Sequence, residues 1–209
     1  MLLYIVRHGV TEWNKLKKVQ GTADIPLAEE GIRLAALTGE ALAGVHFDRC
    51  YTSPLSRARM TAECILRGRN VPVIPDGRLR EIEFGVLEGT RIRDDQGRYA
   101  QEALRIFFDD PMRYERPEGG ENLRDVLRRT ASFWKDITGN PELQDKTLLI
   151  SSHGCAVRGL LQNIYHDPEH YWHGSVPPNC SVNIVEVKDK KARLTAEDQV
   201  YISGRPIIT

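Results

Sequence analysis

The chain has 209 residues, with 29 Lys+Arg against 29 Asp+Glu, a formal net charge of zero, and 28% charged and 41% hydrophobic residues. A domain of that size buries about 70% of its unfolded surface, so one domain over residues 1–209 is expected. Wholesale disorder is excluded, and so is a general nucleic-acid binder, which carries a basic excess. No apolar run approaches the ~20 residues that span a bilayer. The run 2–6 is stopped by Arg7 and is too short for a signal peptide. A cytoplasmic location fits, with Cys50, Cys64, Cys155 and Cys180 scattered and without a CxxC pair, as reduced thiols are.

In chain order, Leu2-Leu3-Tyr4-Ile5-Val6 is the continuous apolar run of a strand buried on both faces. Residues 27–43 predict a helix entered through Pro26 and Glu29-Glu30, with Leu34, Ala35, Thr38, Ala41 and Leu42 on one face. Residues 50–52 predict a short strand, and Ser53-Pro54 caps a helix running to about residue 67. Residues 71–74 predict a third strand, near an edge because of Pro72. The stretch 76–120 is rich in charge and loop residues around a helix near 98–108. Leu123, Val126, Leu127, Thr130, Trp134 and Ile137 then repeat at helical spacing and read as core. A buried strand over 147–150 and a helix over 156–165 come next. Residues 181–188 alternate as a strand, and 193–196 return as its hairpin partner. Alternation of strand and helix predicts an α/β fold, a three-layer α/β/α sandwich with a mainly parallel sheet and helices on both faces.

In such folds chemistry gathers beyond the carboxyl ends of the strands. Three polar segments lie just after predicted strands: Arg7-His8-Gly9 with Trp13-Asn14 beyond it, Ser53-Pro54-Leu55-Ser56-Arg57-Ala58, and Ser152-His153-Gly154. They bring Arg7, Arg57, His8, His153 and Asn14 to one rim. Arginine stays charged and holds phosphate oxygens in pairs, while Gly9 and Gly154 allow backbone amides to approach closely. This set suits a phosphoryl dianion. Neither G-x-x-x-x-G-K-[ST] nor G-x-G-x-x-G occurs, and no Asp cluster supports a two-metal site. His166, His170 and His173 fall at i, i+4 and i+7, a metal-ligand spacing interrupted by Pro168. A surface or packing role is expected for them, with metal binding left open.

Further segments occur in the same order: Gln20-Gly21-x-x-Asp24-x-Pro26-Leu27, Leu79-Arg80-Glu81-Ile82-Glu83-Phe84-Gly85 with Glu88-Gly89, and Pro117-Glu118-Gly119-Gly120-Glu121. Together with the three rim segments they resemble the histidine phosphatase superfamily, in its phosphoglycerate-mutase-like branch, from residue 2 to about 185. The resemblance implies that His8 is the nucleophile that forms a phosphohistidine. It implies that Arg7, Arg57 and His153 contact the phosphoryl oxygens with support from Asn14, and that Gln20, Gly21 and Gly154 belong to the same binding rim. Glu81 matches the position that protonates the leaving oxygen and then deprotonates water, although Glu83 and Glu88 lie close enough in sequence to compete. A neutral imidazole attacks phosphorus while Arg7, Arg57 and a protonated His153 stabilise the equatorial oxygens. With the arginines supplying the charge, no metal or other cofactor is expected.

The superfamily it resembles holds both phosphatases and mutases. This chain has Glu81-Ile82-Glu83-Phe84 where mutases resemble one another in Glu-Arg-His-Tyr, and it has no Arg-Arg pair within 90–120. The expectation is a metal-independent phosphatase acting on a small phosphomonoester, with phosphoglycerate mutase as the alternative. The insertion at about 90–121 is the expected lid and seat of specificity. The expected partner is a small phosphorylated metabolite, with no nucleic acid and no membrane. Residues 171–172 and 200–202 could serve either an interface or the chain's own core, so oligomeric state is not legible.

Overall fold

The computed structural model of the chain describes residues 1–202 and 206–207. Strands β1 (Leu2–Arg7), β2 (Arg49–Thr52), β3 (Val73–Pro75), β4 (Thr147–Ser152), β5 (Val182–Lys188), β6 (Lys191–Tyr201) and β7 (Pro206–Ile207) form one sheet in the order β3-β2-β4-β1-β5-β6-β7. β3, β2, β4 and β1 are parallel, whereas β5, β6 and β7 run antiparallel to their neighbours. The sheet is therefore mixed, with its parallel half as expected and β3 at the edge that Pro72 anticipates. β5 and β6 are joined by Asp189 and Lys190, both at positive φ (50° and 62°). So short a connection makes a hairpin and cannot cross over to a parallel neighbour.

Helices cover both faces because the central strands are apolar on both. Leu3 and Ile5 of β1 and Leu148 and Ile150 of β4 pack with Phe133 and Ile137 of α5 (Leu123–Gly139) and Leu160 and Leu161 of α6 (Gly154–Tyr165). Val6 and Leu149 point the other way. They pack with Leu42, which ends α2 (Glu29–Ala41), and with Ala62 and Ile65 of α3 (Ser56–Ile65). This alternation produces the three layers.

Helix starts differ from expectation where tertiary contacts intervene. α2 begins at Glu29 because Leu27 forms a β-bridge with Thr11 and the Ala28 N–H is taken by the Val10 carbonyl. α3 begins at Ser56, not Ser53. Its cap comes from the Asp24 carboxylate, which accepts the Ser56 N–H at 2.7 Å. A short helix, α1 (Glu12–Lys15), had no periodic signal and is fixed by a capping box between Thr11 and Asn14.

The helix expected near 98–108 is α4, which starts only at Glu102 (Glu102–Asp109) because Tyr99 bridges to Arg93 and the Ala100 N–H donates to the Ile92 carbonyl; it belongs to a third apolar cluster. Phe84, Phe107, Tyr114 and Trp172 meet there edge to face, over Leu123 and Val126 of α5. Tyr171 is buried in that cluster and Tyr201 in the cluster of α2 and α3, so these residues cover the chain's own core. Among the described residues, no helix is long and apolar enough to cross a membrane.

Candidate active site

The carboxyl ends of β1, β2 and β4 deliver the expected residues to one place. His8 lies just past β1, Arg57 in the first turn of α3 after β2, and His153 between β4 and α6; all three are buried. The His8 and His153 rings lie 5.1 Å apart between centroids.

Hydrogen bonding determines the tautomer of both rings. His8 Nδ1 lies 2.7 Å from the Gly9 carbonyl oxygen, which can only accept, so Nδ1 carries the proton and Nε2 keeps its lone pair. Burial, then the positive charges of Arg57 and Arg7, hold His8 well below the ordinary histidine range. His8 is thus a neutral imidazole with an open Nε2. For His153 the pattern reverses. Arg57 Nε–H donates to its Nδ1 at 3.2 Å, so the ring proton sits on Nε2. Burial, then Arg57 and His8, keep this histidine well below its ordinary range too. The sequence leads to the expectation of a protonated His153 on a bound phosphoryl group; in the free protein the ring that accepts from the guanidinium is neutral and presents its Nε2–H.

Arg57 is anchored by carbonyls. Its Nη2 donates to Gly21 O at 2.5 Å and its Nη1 to Ala23 O at 2.9 Å. Burial lowers its pKa to about 10, against the opposing charges of Glu81, Asp24 and Glu88, so it stays cationic at neutral pH. Gly21 has to be glycine, because a Cβ there would come within 2.5 Å of the Ile82 carbonyl and of Glu88 Oε1. Arg7 Nη1 donates to Pro177 O at 2.5 Å. Gly154 is a spacer at the start of α6, where a Cβ would strike Val176 at 2.7 Å and lie 3.5 Å from Arg7 Nε.

Glu81 is held against the same helix. Its carboxylate accepts the N–H groups of Cys155 (3.1 Å), Ala156 (3.2 Å) and Ile82 (3.0 Å). The two competing glutamates have other work. Glu83 pairs with Arg80 at 3.1 Å, and Glu88 accepts the N–H groups of Thr22 and Ala23, both at 2.7 Å. Asn14 closes the capping box of α1, its Oδ1 accepting the Thr11 N–H at 3.1 Å and also lying 3.3 Å from Asn179 Nδ2, which donates to it. Gln20 accepts from the Thr11 hydroxyl at 2.5 Å.

Three buried donors in this neighbourhood, Arg7 Nε, His153 Nε2 and Gln20 Nε2, have no acceptor among protein atoms. Buried N–H groups without partners are costly, so the arrangement is suited to an anionic acceptor. Arg7, Asn14, Gln20, Glu81 and Asn179 open onto a cavity of about 390 Å³. Its wall also carries the apolar Phe84, Ile92, Phe107, Phe108 and Trp172 and the cationic Lys17, Lys18 and Arg93.

Sequence reasoning missed the segment 176–180. Asn179 Nδ2 donates to His8 O at 2.9 Å, the Cys180 N–H donates to Arg7 O at 3.1 Å, and Pro177 holds Arg7. This loop precedes β5 rather than trailing it. Because β5 is antiparallel to β1, its entrance lies at the rim where the parallel strands exit. A search that includes loops entering antiparallel strands would have found it.

The three spaced histidines do not share a helical face, because α6 ends at Tyr165. His166 takes a left-handed cap, His170 pairs with Asp167 at 3.0 Å, and His173 stacks on Tyr165 at 3.6 Å. Among the described residues, no group of three His, Cys, Asp or Glu side chains is placed to hold a metal ion.

A sequence model of the histidine phosphatase superfamily (branch 1) matches residues 3–198. A 2,3-bisphosphoglycerate-dependent phosphoglycerate mutase 2 of Gloeobacter violaceus is 36% identical over 170 residues, covering 79% of this chain and 76% of that one. Phosphoserine phosphatase 1 of Hydrogenobacter thermophilus is 28% identical over 190 residues, covering 90% of this chain and 88% of that one. Among solved structures, Bacillus stearothermophilus YhfR superposes with a TM-score of 0.85 at 33% identity, covering 97% of this chain and 98% of that one. With matched sequence, matched fold and a paired-histidine site at the strand ends, the chain belongs to the histidine phosphatase superfamily, branch 1.

Proposed function

We propose that the protein hydrolyses a small phosphomonoester in two steps through a phosphohistidine on His8. The observation that carries this reading is the tautomer of His8: Nδ1–H is tied to Gly9 O, leaving Nε2 unprotonated within a buried, cationic surround. In the first step Nε2 attacks phosphorus, the P–O bond to the leaving group breaks, and Glu81 delivers a proton to the departing oxygen. In the second step Glu81 takes a proton from water, whose oxygen attacks phosphorus as the P–N bond breaks, returning His8 and releasing phosphate. The negative charge developing on the equatorial oxygens meets Arg7, Arg57 and the Nε2–H of His153.

Hydrolysis is favoured over isomerisation by the cavity beside Arg7 and Glu81. A mutase must hold a doubly phosphorylated sugar acid while it reorients, whereas much of this wall, with Phe84, Ile92, Phe107, Phe108 and Trp172, is apolar and suits a leaving group with an apolar body. The mutase reading keeps specific support, since several relatives, the Gloeobacter violaceus protein among them, are named as phosphoglycerate mutases. Release of inorganic phosphate from a panel of phosphomonoesters, abolished in His8→Ala, is the expected result. Conversion of 3-phosphoglycerate to 2-phosphoglycerate primed by 2,3-bisphosphoglycerate, faster than any phosphate release, would decide for the mutase.

A further inference from the structure

The cavity beside Glu81 carries more positive charge than one phosphoryl group uses. Of the charged residues on its wall, Arg7, Lys17, Lys18 and Arg93 are basic and only Glu81 is acidic. Arg7 and Glu81 belong to the phosphoryl end. The other three come from two facing segments, tied by the β-bridge between Lys18 and Arg91 and by the Ile92 N–H donating to Lys17 O at 2.9 Å.

The acids of this region are engaged elsewhere. Glu12 pairs with Lys15 at 3.0 Å, Asp95 with Arg91 at 2.7 Å and Asp94 with Arg98 at 2.9 Å. Among the described residues, no carboxylate lies within 4.0 Å of the charged nitrogens of Lys17, Lys18 or Arg93. Two of the three are braced by other means. The Arg93 guanidinium lies 3.8 Å from the centre of the Tyr99 ring and donates to Gly97 O at 2.8 Å, and the Lys18 ammonium lies 5.7 Å from the Trp13 ring. Aromatic bracing fixes a cation without neutralising it. Lys17 is held at φ 51°, a left-handed conformation uncommon for a residue with a side chain.

Resting on the phosphomonoesterase reading, we propose that Lys17, Lys18 and Arg93 form a second anion subsite. The substrate class it selects is a phosphomonoester with an apolar, ring-bearing body and a second anionic group remote from the phosphoryl group. One end of such a molecule answers Arg7, Arg57 and His153, its body lies on Phe107, Phe108 and Trp172, and its far end answers the unpaired cations.

The test uses pairs of aryl phosphates that differ only in that far group: 4-carboxyphenyl against 4-carbamoylphenyl phosphate, and the same pair with the group moved to the 3-position or extended by one methylene. The amide matches the acid in shape, so the ratio of the two kcat/KM values isolates charge. The full-length protein is expected to prefer the acid by about tenfold or more at the best spacing, as charge-assisted hydrogen bonds permit. The Lys18→Met/Arg93→Met double variant is expected to bring that ratio toward one. A ratio near one at every spacing, with turnover still dependent on His8, overturns the subsite and leaves the hydrolase reading standing. A strong acid preference that survives the double variant also overturns the assignment to these residues. No phosphate release from any ester overturns the hydrolase reading, and the subsite with it.

Discussion

Arg57 Nε donates to His153 Nδ1 at 3.2 Å, so the arginine decides which nitrogen of the histidine carries the proton. In the free protein, ¹⁵N NMR is expected to show His153 as the neutral Nε2–H tautomer at pH 7. Arg57→Met removes that control and, under the proposed mechanism, a phosphoryl contact. A fall in kcat/KM of about 10²–10³ is expected, as for loss of a transition-state donor. A His153 resonance of the Nδ1–H form in the unaltered protein would refute the assignment.

Stability is expected to depend on acidity in a window set by the two buried histidines. His8 and His153 lie well below 6.5 when folded and near 6.5 when unfolded. The unfolded chain therefore binds more protons below that value. The stabilisation is fully present above about pH 6.5 and is lost as pH falls toward the folded pKa values. Two such groups give a slope of up to about 2.7 kcal/mol per pH unit. Urea midpoints measured between pH 7.5 and 5 check this, and His153→Gln should remove about half the slope.

Glu81→Gln retains a carbonyl oxygen for one set of backbone donors but turns an NH₂ toward another, and it can no longer take up a proton. A loss of about 10²–10⁴ in turnover is expected. The loss should be smaller for the first step with p-nitrophenyl phosphate, whose leaving group needs no proton. Acid-labile phosphoenzyme should then accumulate and be trapped with ³²P. Unchanged turnover of an alkyl phosphate would remove Glu81 from the proposed mechanism.

Glu88 is expected to act on the reaction through Arg57. Its carboxylate accepts the N–H groups of Thr22 and Ala23, and the carbonyls of Gly21 and Ala23 hold the guanidinium. Glu88→Gln loses one of those acceptors and loosens the loop. Competitive inhibition by inorganic phosphate should weaken about tenfold, a loss comparable to one hydrogen bond to a charged group, while the urea midpoint moves little. A large stability loss with unchanged phosphate affinity would contradict the positioning role.

How much of the molecule was legible in the sequence depended on how locally each signal is encoded. β1, β4 and α5 were readable because a doubly buried strand and an amphipathic helix write their environment into consecutive residues. Arg7, His8, Arg57 and His153 were readable because parallel strands all exit at one edge of the sheet and deliver the residues at their carboxyl ends there. Asn179 and Pro177 were not, since their relevance depends on β5 running against β1. The start of α3 was misplaced because its cap, Asp24, is 32 residues away. The charge state of His153 required the direction of one hydrogen bond, which no residue pattern encodes.

The central position of β1 also bears on how the protein comes to be made. This strand is made before the other strands of the sheet, yet its sheet neighbours are β4 and β5, beginning at residues 147 and 182, and Pro177 reaches Arg7 across 170 residues of sequence. Contacts of such long separation are closed slowly and late. A nascent chain stalled before β5 carries His8 but lacks the loop 176–180 that encloses it, so ribosome-bound truncations are expected neither to bind phosphate nor to become phosphorylated. Under the proposed mechanism, competence arrives only once the antiparallel strands have been made.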